Sequence, residues 1–133
     1  MKTISALALI SVAVLSFALS SCKNTVNTPI GDIKFPPSNV SYSRQVQPLF
    51  NVGCIYYGCH DDGTRAGNLS LTNYNDATTD VSGVVIPGNP TNSILIQRIK
   101  GQTGVMPPPP ASPLNQNQIQ GLTTWVKEGA KLN

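Results

Sequence analysis

The chain is poor in charged residues and lacks the sequence features of several common classes of protein. Charged residues make up 11% of its 133 residues, and the formal net charge is only +3. This charge is too small to indicate a nucleic acid or an anionic membrane surface as the partner. The sequence has no internal repeat and no glycine-rich loop of the kind that binds phosphate groups. Nucleotide binding is therefore not indicated.

Cysteine and histidine are also scarce, but most of them lie together. The chain has three cysteines and one histidine, and the run Cys54-Ile-Tyr-Tyr-Gly-Cys59-His60 contains two of the cysteines and the histidine. A structural zinc site needs four ligands, typically supplied in two pairs. The sequence offers no second pair near this run, so a zinc site is disfavoured. A disulfide and a covalently attached haem remain as the two interpretations of the run.

The third cysteine follows a stretch that is typical of a targeting segment. Lys2 gives a positive start, and an apolar run extends from Ile4 to Leu19, which is short for a membrane span of about 20 residues. A signal peptide over residues 1–21 is therefore predicted. The run ends in Leu-Ser-Ser-Cys22, which resembles the lipobox of bacterial lipoproteins. This resemblance implies that Cys22 is lipidated and that the protein is anchored by lipid in the cell envelope, on the periplasmic face or in the outer membrane.

Residues 22–40 predict a lipidated N-terminus and a flexible tether, because they are polar, contain three prolines and show no apolar period. A helix is then predicted after Ser41 or Ser43, either of which can cap it. Its apolar face recurs at helical spacing in Tyr42, Val46, Leu49 and Phe50. Pro48 predicts a kink or a loosened last turn in this helix. The cysteine–histidine run follows it directly.

Further helices are predicted downstream. One follows Asn89-Pro90 and ends at Gly101, and the last begins at Asn115, with Gln118 three residues later as in a capping box. A short helical turn after Tyr74 is a weaker prediction. Together these elements predict a small all-α domain over residues 41–133, with three or more helices and long loops. Few aromatic residues (6%) and 11 prolines give a small core, so a disulfide, a metal or a cofactor is expected to stabilise it.

The two interpretations of the cysteine run remain open on the residues alone. Two cysteines in an oxidising compartment usually form a disulfide, although such a short loop adds little stability and leaves His60 unexplained. Covalent haem accounts for all three residues. Four residues separate the cysteines, whereas the usual haem motif has two, and Gly58 would ease the longer bulge. Met106, in a proline-stiffened loop, is then a candidate for the second iron ligand.

Several landmarks in order along residues 41–133 resemble a single-haem c-type cytochrome, and more narrowly the Planctomycete cytochrome c family. These landmarks are VQPLFNVGC, GCH, VIPGNPTNSILIQRI, MPPP and IQGLTTWVKEGA. The resemblance implies an all-α fold whose first and last helices cross near one haem c. It implies thioether bonds from Cys54 and Cys59, with His60 as proximal and Met106 as distal iron ligand. It also suggests Trp125 beside the haem pocket, although a plain core position is the simpler interpretation.

With a haem in place, three cations are candidates to pair with its propionates, Arg65, Arg98 and Lys100, although a solvated surface position is the commoner fate of such charges. The predicted function is one-electron transfer to and from redox partner proteins of the cell envelope, without enzymatic activity. The alternative is a haem-free structural or binding lipoprotein with a Cys54–Cys59 disulfide. A haem enzyme or sensor is disfavoured because the chain has one histidine and no evident distal acid–base group.

Overall fold

The computed structural model describes residues 30–56 and 58–133. The predicted signal peptide, residues 1–21, and the predicted lipidation site Cys22 lie outside these described residues. The described part is helical and contains no β-strand, which confirms the all-α prediction. No helix in this part is both long enough and apolar enough to cross a bilayer.

Four helices form the framework of the described part, and short 3-10 turns at Ile30–Asp32 and Ala66–Asn68 lie between longer loops. The first helix, α1, runs through three successive segments, Tyr42–Val46, Gln47–Phe50 and Asn51–Ile55. The other three are α2 (Tyr74–Thr79), α3 (Ile94–Ile99) and α4 (Gln116–Lys127).

Helix α1 begins as predicted but ends later. The Ser41 side chain caps it by accepting a hydrogen bond from the Arg44 amide at 3.3 Å, and the four predicted face residues are buried. The hydrogen-bonding register is π-helical on both sides of the segment that contains Pro48. This wider register agrees with the predicted loosening, since proline has no N–H to donate. The helix nevertheless continues to Ile55, so Cys54 lies on its last turn.

Residues 33–40, which the sequence assigned to the tether, pack against the domain. The buried apolar residues of this stretch are Ile33, Phe35 and Val40. Asn117 of α4 holds the backbone of Phe35 from both sides, accepting from its N–H at 2.9 Å and donating to its carbonyl at 3.0 Å. Glu128 accepts from the amides of Asn39 and Val40 at 2.7 and 3.0 Å. The folded part therefore starts before residue 41.

Helix α4 is the centre of the core. Its N-terminus has the predicted capping box, in which Asn115 and Gln118 each accept a hydrogen bond from the other's amide. Trp125 is fully buried, and its Nε1 donates to the Lys131 carbonyl at 3.0 Å. The Trp125 ring lies 5.7 Å from that of Tyr42, which makes an edge-on contact at 5.1 Å with Tyr74. Residues from α1, α2 and α4 thus meet around one aromatic cluster.

Gly121 on α4 faces Phe35 so closely that an added Cβ would overlap the Phe35 Cβ, Cγ and Cδ1 atoms. Alanine is intrinsically better than glycine inside a helix by about 1 kcal/mol, whereas overpacking a core costs about 1–3 kcal/mol. Because the added Cβ would overlap three Phe35 atoms, the cost should be near the upper end, and we expect Gly121→Ala to lower the free energy of unfolding by about 2 kcal/mol, measured by chemical denaturation. Gln120→Ala, at the exposed neighbouring position, is the control and should stay within about 0.5 kcal/mol. Equal stability of the two variants would contradict the close packing of this segment.

Candidate functional site

A large apolar cavity of about 860 Å³ lies among the helices. Its wall is formed by the end of α1, the loop at 59–71, helix α3, the proline-rich loop after it and one side chain of α4. Binding pockets for small molecules and cofactors typically have volumes of roughly 300–1,000 Å³. The four residues predicted to hold a haem, Cys54, Cys59, His60 and Met106, all line this cavity.

The two cysteines that line the cavity lie in different secondary structure. Cys54 lies on the last turn of α1, and Cys59 lies beyond a bulge. Gly58 has a φ of +68°, a left-handed conformation that glycine adopts without steric cost. Its amide donates to the Ile55 carbonyl at 2.8 Å, and the His60 amide donates to the Cys54 carbonyl at 3.2 Å. These bonds return the chain to the helix end, and both cysteines and the histidine line the cavity despite the longer spacing.

The His60 ring is oriented by the loop that follows it. Its Nδ1 lies 3.4 Å from the Leu69 carbonyl oxygen, and its own carbonyl accepts from the Leu71 amide at 2.9 Å. The contact at Nδ1 favours the tautomer that carries its proton there, since a carbonyl can only accept. Nε2 then keeps its lone pair. Histidines that bind metals commonly donate their other N–H to a backbone carbonyl or carboxylate in this way.

Met106 is brought to the cavity by the loop between α3 and α4. Its amide donates to the Arg98 carbonyl at 3.1 Å, which fixes the loop to the last turn of α3. The four prolines at 107–110 follow it and also line the cavity. Proline restricts the conformations that a loop can adopt, so the half-buried thioether of Met106 is held at the wall.

Burial raises the pKa of the Cys54 thiol to about 12, with a smaller contribution from the neighbouring Cys59. At neutral pH this side chain is therefore a thiol. The nucleophile in thiol–disulfide exchange is the thiolate, so this environment slows exchange at Cys54. A thioether and a disulfide are both uncharged, so either suits the same apolar wall.

The three cations that are candidates to pair with the propionates have different surroundings in the structure. Arg65 is engaged by three carboxylates, those of Asp62 at 3.7 Å, Asp76 at 3.8 Å and Asp80. Among the described residues that line the cavity, Arg98 is present and Lys100 is not. Arg98 is therefore the candidate that the fold places at the site.

Trp125 does not have the position that the resemblance suggested. Within the described part of the chain, α4 contributes Leu122 to the cavity wall, and Trp125 lies in the aromatic cluster instead. Its plain core role is thus the correct interpretation. The sequence analysis missed Val81, Val84 and Ala111 on the wall, since isolated apolar residues in loops carry no periodic signal.

Across residues 30–56 and 58–133, no group of three or more His, Cys, Asp or Glu side chains is placed to hold a metal ion. One imidazole and one thioether from separate segments fit the axial positions of a haem iron better than they fit a zinc site.

A comparison with known proteins finds one family model that matches the part of the chain containing most of the candidate site residues. The model of the Planctomycete cytochrome C family matches residues 56–110, somewhat under half of the chain. The matched span contains Cys59, His60 and Met106 and begins two residues after Cys54. No curated protein and no solved structure matches the chain. A cytochrome c family implies covalently bound haem c and hence a haem-based function. The resemblance predicted from the sequence is confirmed: over residues 56–110 the chain is similar to Planctomycete cytochrome C.

Proposed function

We propose that the protein is a one-electron carrier that holds a single haem c. Cys54 and Cys59 form the thioether bonds, and His60 and Met106 are the axial ligands of the iron. The observation that carries the proposal is the convergence of these four side chains, from segments far apart in the sequence, on one apolar cavity of about 860 Å³.

The donor set and the cavity fit this group. The thiols of Cys54 and Cys59 and the imidazole of His60 line the cavity. The His60 Nδ1 faces a carbonyl, which leaves Nε2 for the iron. Among the described residues no carboxylate lines the cavity, which suits a macrocycle that is apolar over most of its surface. Close-packed interiors rarely contain empty volumes of this size. We therefore expect the haem to complete the hydrophobic core as well as to carry the electron.

When bound, the haem supplies a reversible one-electron change between FeIII and FeII. The protein residues hold the iron in one ligand set, because the Leu69 carbonyl orients the His60 ring and the Arg98 carbonyl holds the Met106 amide. Histidine–methionine ligation raises the potential relative to ligation by two nitrogens. With both axial positions filled there is no open position for a substrate, which favours electron transfer over haem catalysis.

The proposed location and partners depend on the sequence. A signal peptide at 1–21 and lipidation at Cys22 would anchor the protein in the cell envelope, on the periplasmic face or in the outer membrane, where its partners are redox proteins. Because the packed structure has begun by Ile33, the tether would be shorter than the 22–40 span that the sequence predicts.

The alternative of a haem-free lipoprotein with a Cys54–Cys59 disulfide explains less of the structure. It gives no role to the cavity, to the His60 orientation or to the placement of Met106 at the wall. A structural lipoprotein would retain its stability without any cofactor.

A potentiometric titration of the protein, produced in cells able to attach haem, tests the proposal. We expect one reversible transition that follows the Nernst equation for one electron, with the reduced form unreactive toward added carbon monoxide because Met106 occupies the sixth position. Rapid binding of carbon monoxide to the native protein would instead favour a haem sensor or enzyme.

A further inference from the structure

Arg98 also lines the cavity, but the proposed thioether bonds and iron ligands give it no role. It is on the last turn of α3, it is exposed, and it lines the cavity. It is the one arginine or lysine side chain among the described residues of the wall. An exposed residue that also lines the cavity lies at its mouth.

The described residues supply no carboxylate partner to this guanidinium. Their ion pairs all involve Arg65, which is surrounded by three aspartates. A guanidinium beside an apolar surface is stabilised when a carboxylate approaches it, because planar two-point hydrogen bonding offsets its loss of water. We therefore expect a carboxylate partner for Arg98 to belong to the group that the cavity binds.

The side chain of Arg98 is also placed against the loop that carries Met106. A Cβ at Gly104 would lie 2.6 Å from the Arg98 Nη1, and Gly104 has a φ of +102°. The guanidinium therefore lies on the bare backbone of Gly104, two residues before Met106. The Arg98 carbonyl meanwhile accepts the Met106 amide, a bond that no substitution of the side chain removes.

We propose that Arg98 binds a propionate carboxylate of the haem and thereby sets which edge of the ring lies at the end of α3, beside the Met106 loop. This inference rests on the proposed function. It makes Arg98 a positioning residue, since its contact is with the carboxylate at the periphery and not with the iron. An arginine in this role holds the carboxylate ionised.

The other ionisable groups near Arg98 are few, which makes its effect measurable. The described cavity wall contributes Cys54, Cys59 and His60, which the proposed haem would engage, and Lys100 follows directly after α3. The loop at 101–106 carries no ionisable side chain. A change in propionate ionisation can therefore be assigned to Arg98 by comparison with Lys100.

The test is the pH dependence of the midpoint potential in the haem-loaded protein and three variants, Arg98→Gln, Arg98→Lys and Lys100→Gln. An arginine beside a carboxylate lowers the carboxylate's pKa by about 1–3 units. We expect the propionate inflection in the potential–pH curve to move up by about one unit or more in Arg98→Gln, and less in Arg98→Lys. Lys100→Gln removes the same charge two residues away and should follow the wild-type curve.

Coincident curves for Arg98→Gln and Lys100→Gln would overturn the pairing and leave Arg98 as a surface charge. If Arg98→Gln fails to mature, Arg98→Leu carries the test, because leucine removes the charge and keeps an apolar side chain at the cavity. A leucine variant that coincides with Lys100→Gln would then overturn the pairing. Absence of haem from the wild-type protein is a separate result, since it refutes the proposed function before any variant is compared.

Discussion

Replacement of both Cys54 and Cys59 by alanine is expected to yield a protein without covalent haem and without a cooperative unfolding transition. The cavity of about 860 Å³ would then have no occupant held in place. At roughly 24 cal/mol per Å³ a dry, closed void of this volume would cost on the order of 20 kcal/mol, as an upper bound. Because a small domain has a stability of about 5–15 kcal/mol, even a part of that cost is enough to remove the cooperative fold of the apo domain. Circular dichroism during thermal unfolding measures the loss.

The single variants Cys54→Ala and Cys59→Ala are the matched controls. Each retains one thioether, and the unreacted vinyl group, still conjugated with the ring, should move the α band of the reduced protein to longer wavelength. A disulfide predicts a different pattern, in which either single variant behaves like the double variant and none has haem bands. Wild-type stability in the double variant would contradict the haem-filled core.

Replacement of Met106 by alanine is expected to keep the haem covalently attached but to change its ligand set. The weak red charge-transfer band that a thioether gives ferric haem should disappear, and carbon monoxide should bind the reduced form. The midpoint potential should fall, by on the order of 0.1 V within the roughly 0.8 V range that axial ligands span, because the thioether stabilises FeII. Spectroscopy and potentiometry on the same sample measure all three effects.

Val105→Ala controls for damage to the loop, since Val105 is exposed and adjacent to Met106. It should retain the wild-type spectrum and potential. A Met106→Ala protein indistinguishable from Val105→Ala would show that the methionine is a wall residue and that the iron takes another sixth ligand.

The periodic parts of the fold could be predicted because their residues carry local signals. The buried face of α1 is fixed by apolar residues at helical spacing, and the start of α4 is fixed by the Asn115–Gln118 capping box. The four site residues stand out because cysteine, histidine and methionine are rare in the chain. Their chemistry could be proposed before their proximity was known.

The irregular parts could not be predicted because tertiary contacts decide them. The segment at 33–40 has no period, and its position depends on Asn117 and Glu128 far along the chain. Helix α1 continues beyond Pro48 with a change in its hydrogen-bonding register. The helix propensities of the residues alone do not predict that change. The choice of Arg98 over Arg65 likewise depends on aspartates brought to Arg65 by the fold.

The most direct test of the central claim is the visible spectrum of the mature protein, made in cells able to attach haem, before and after reduction with dithionite. We predict a Soret band, sharp α and β bands on reduction, and haem that stays with the protein through acid–acetone extraction. A correctly matured preparation without a Soret band would contradict the account and leave a haem-free lipoprotein with a Cys54–Cys59 disulfide.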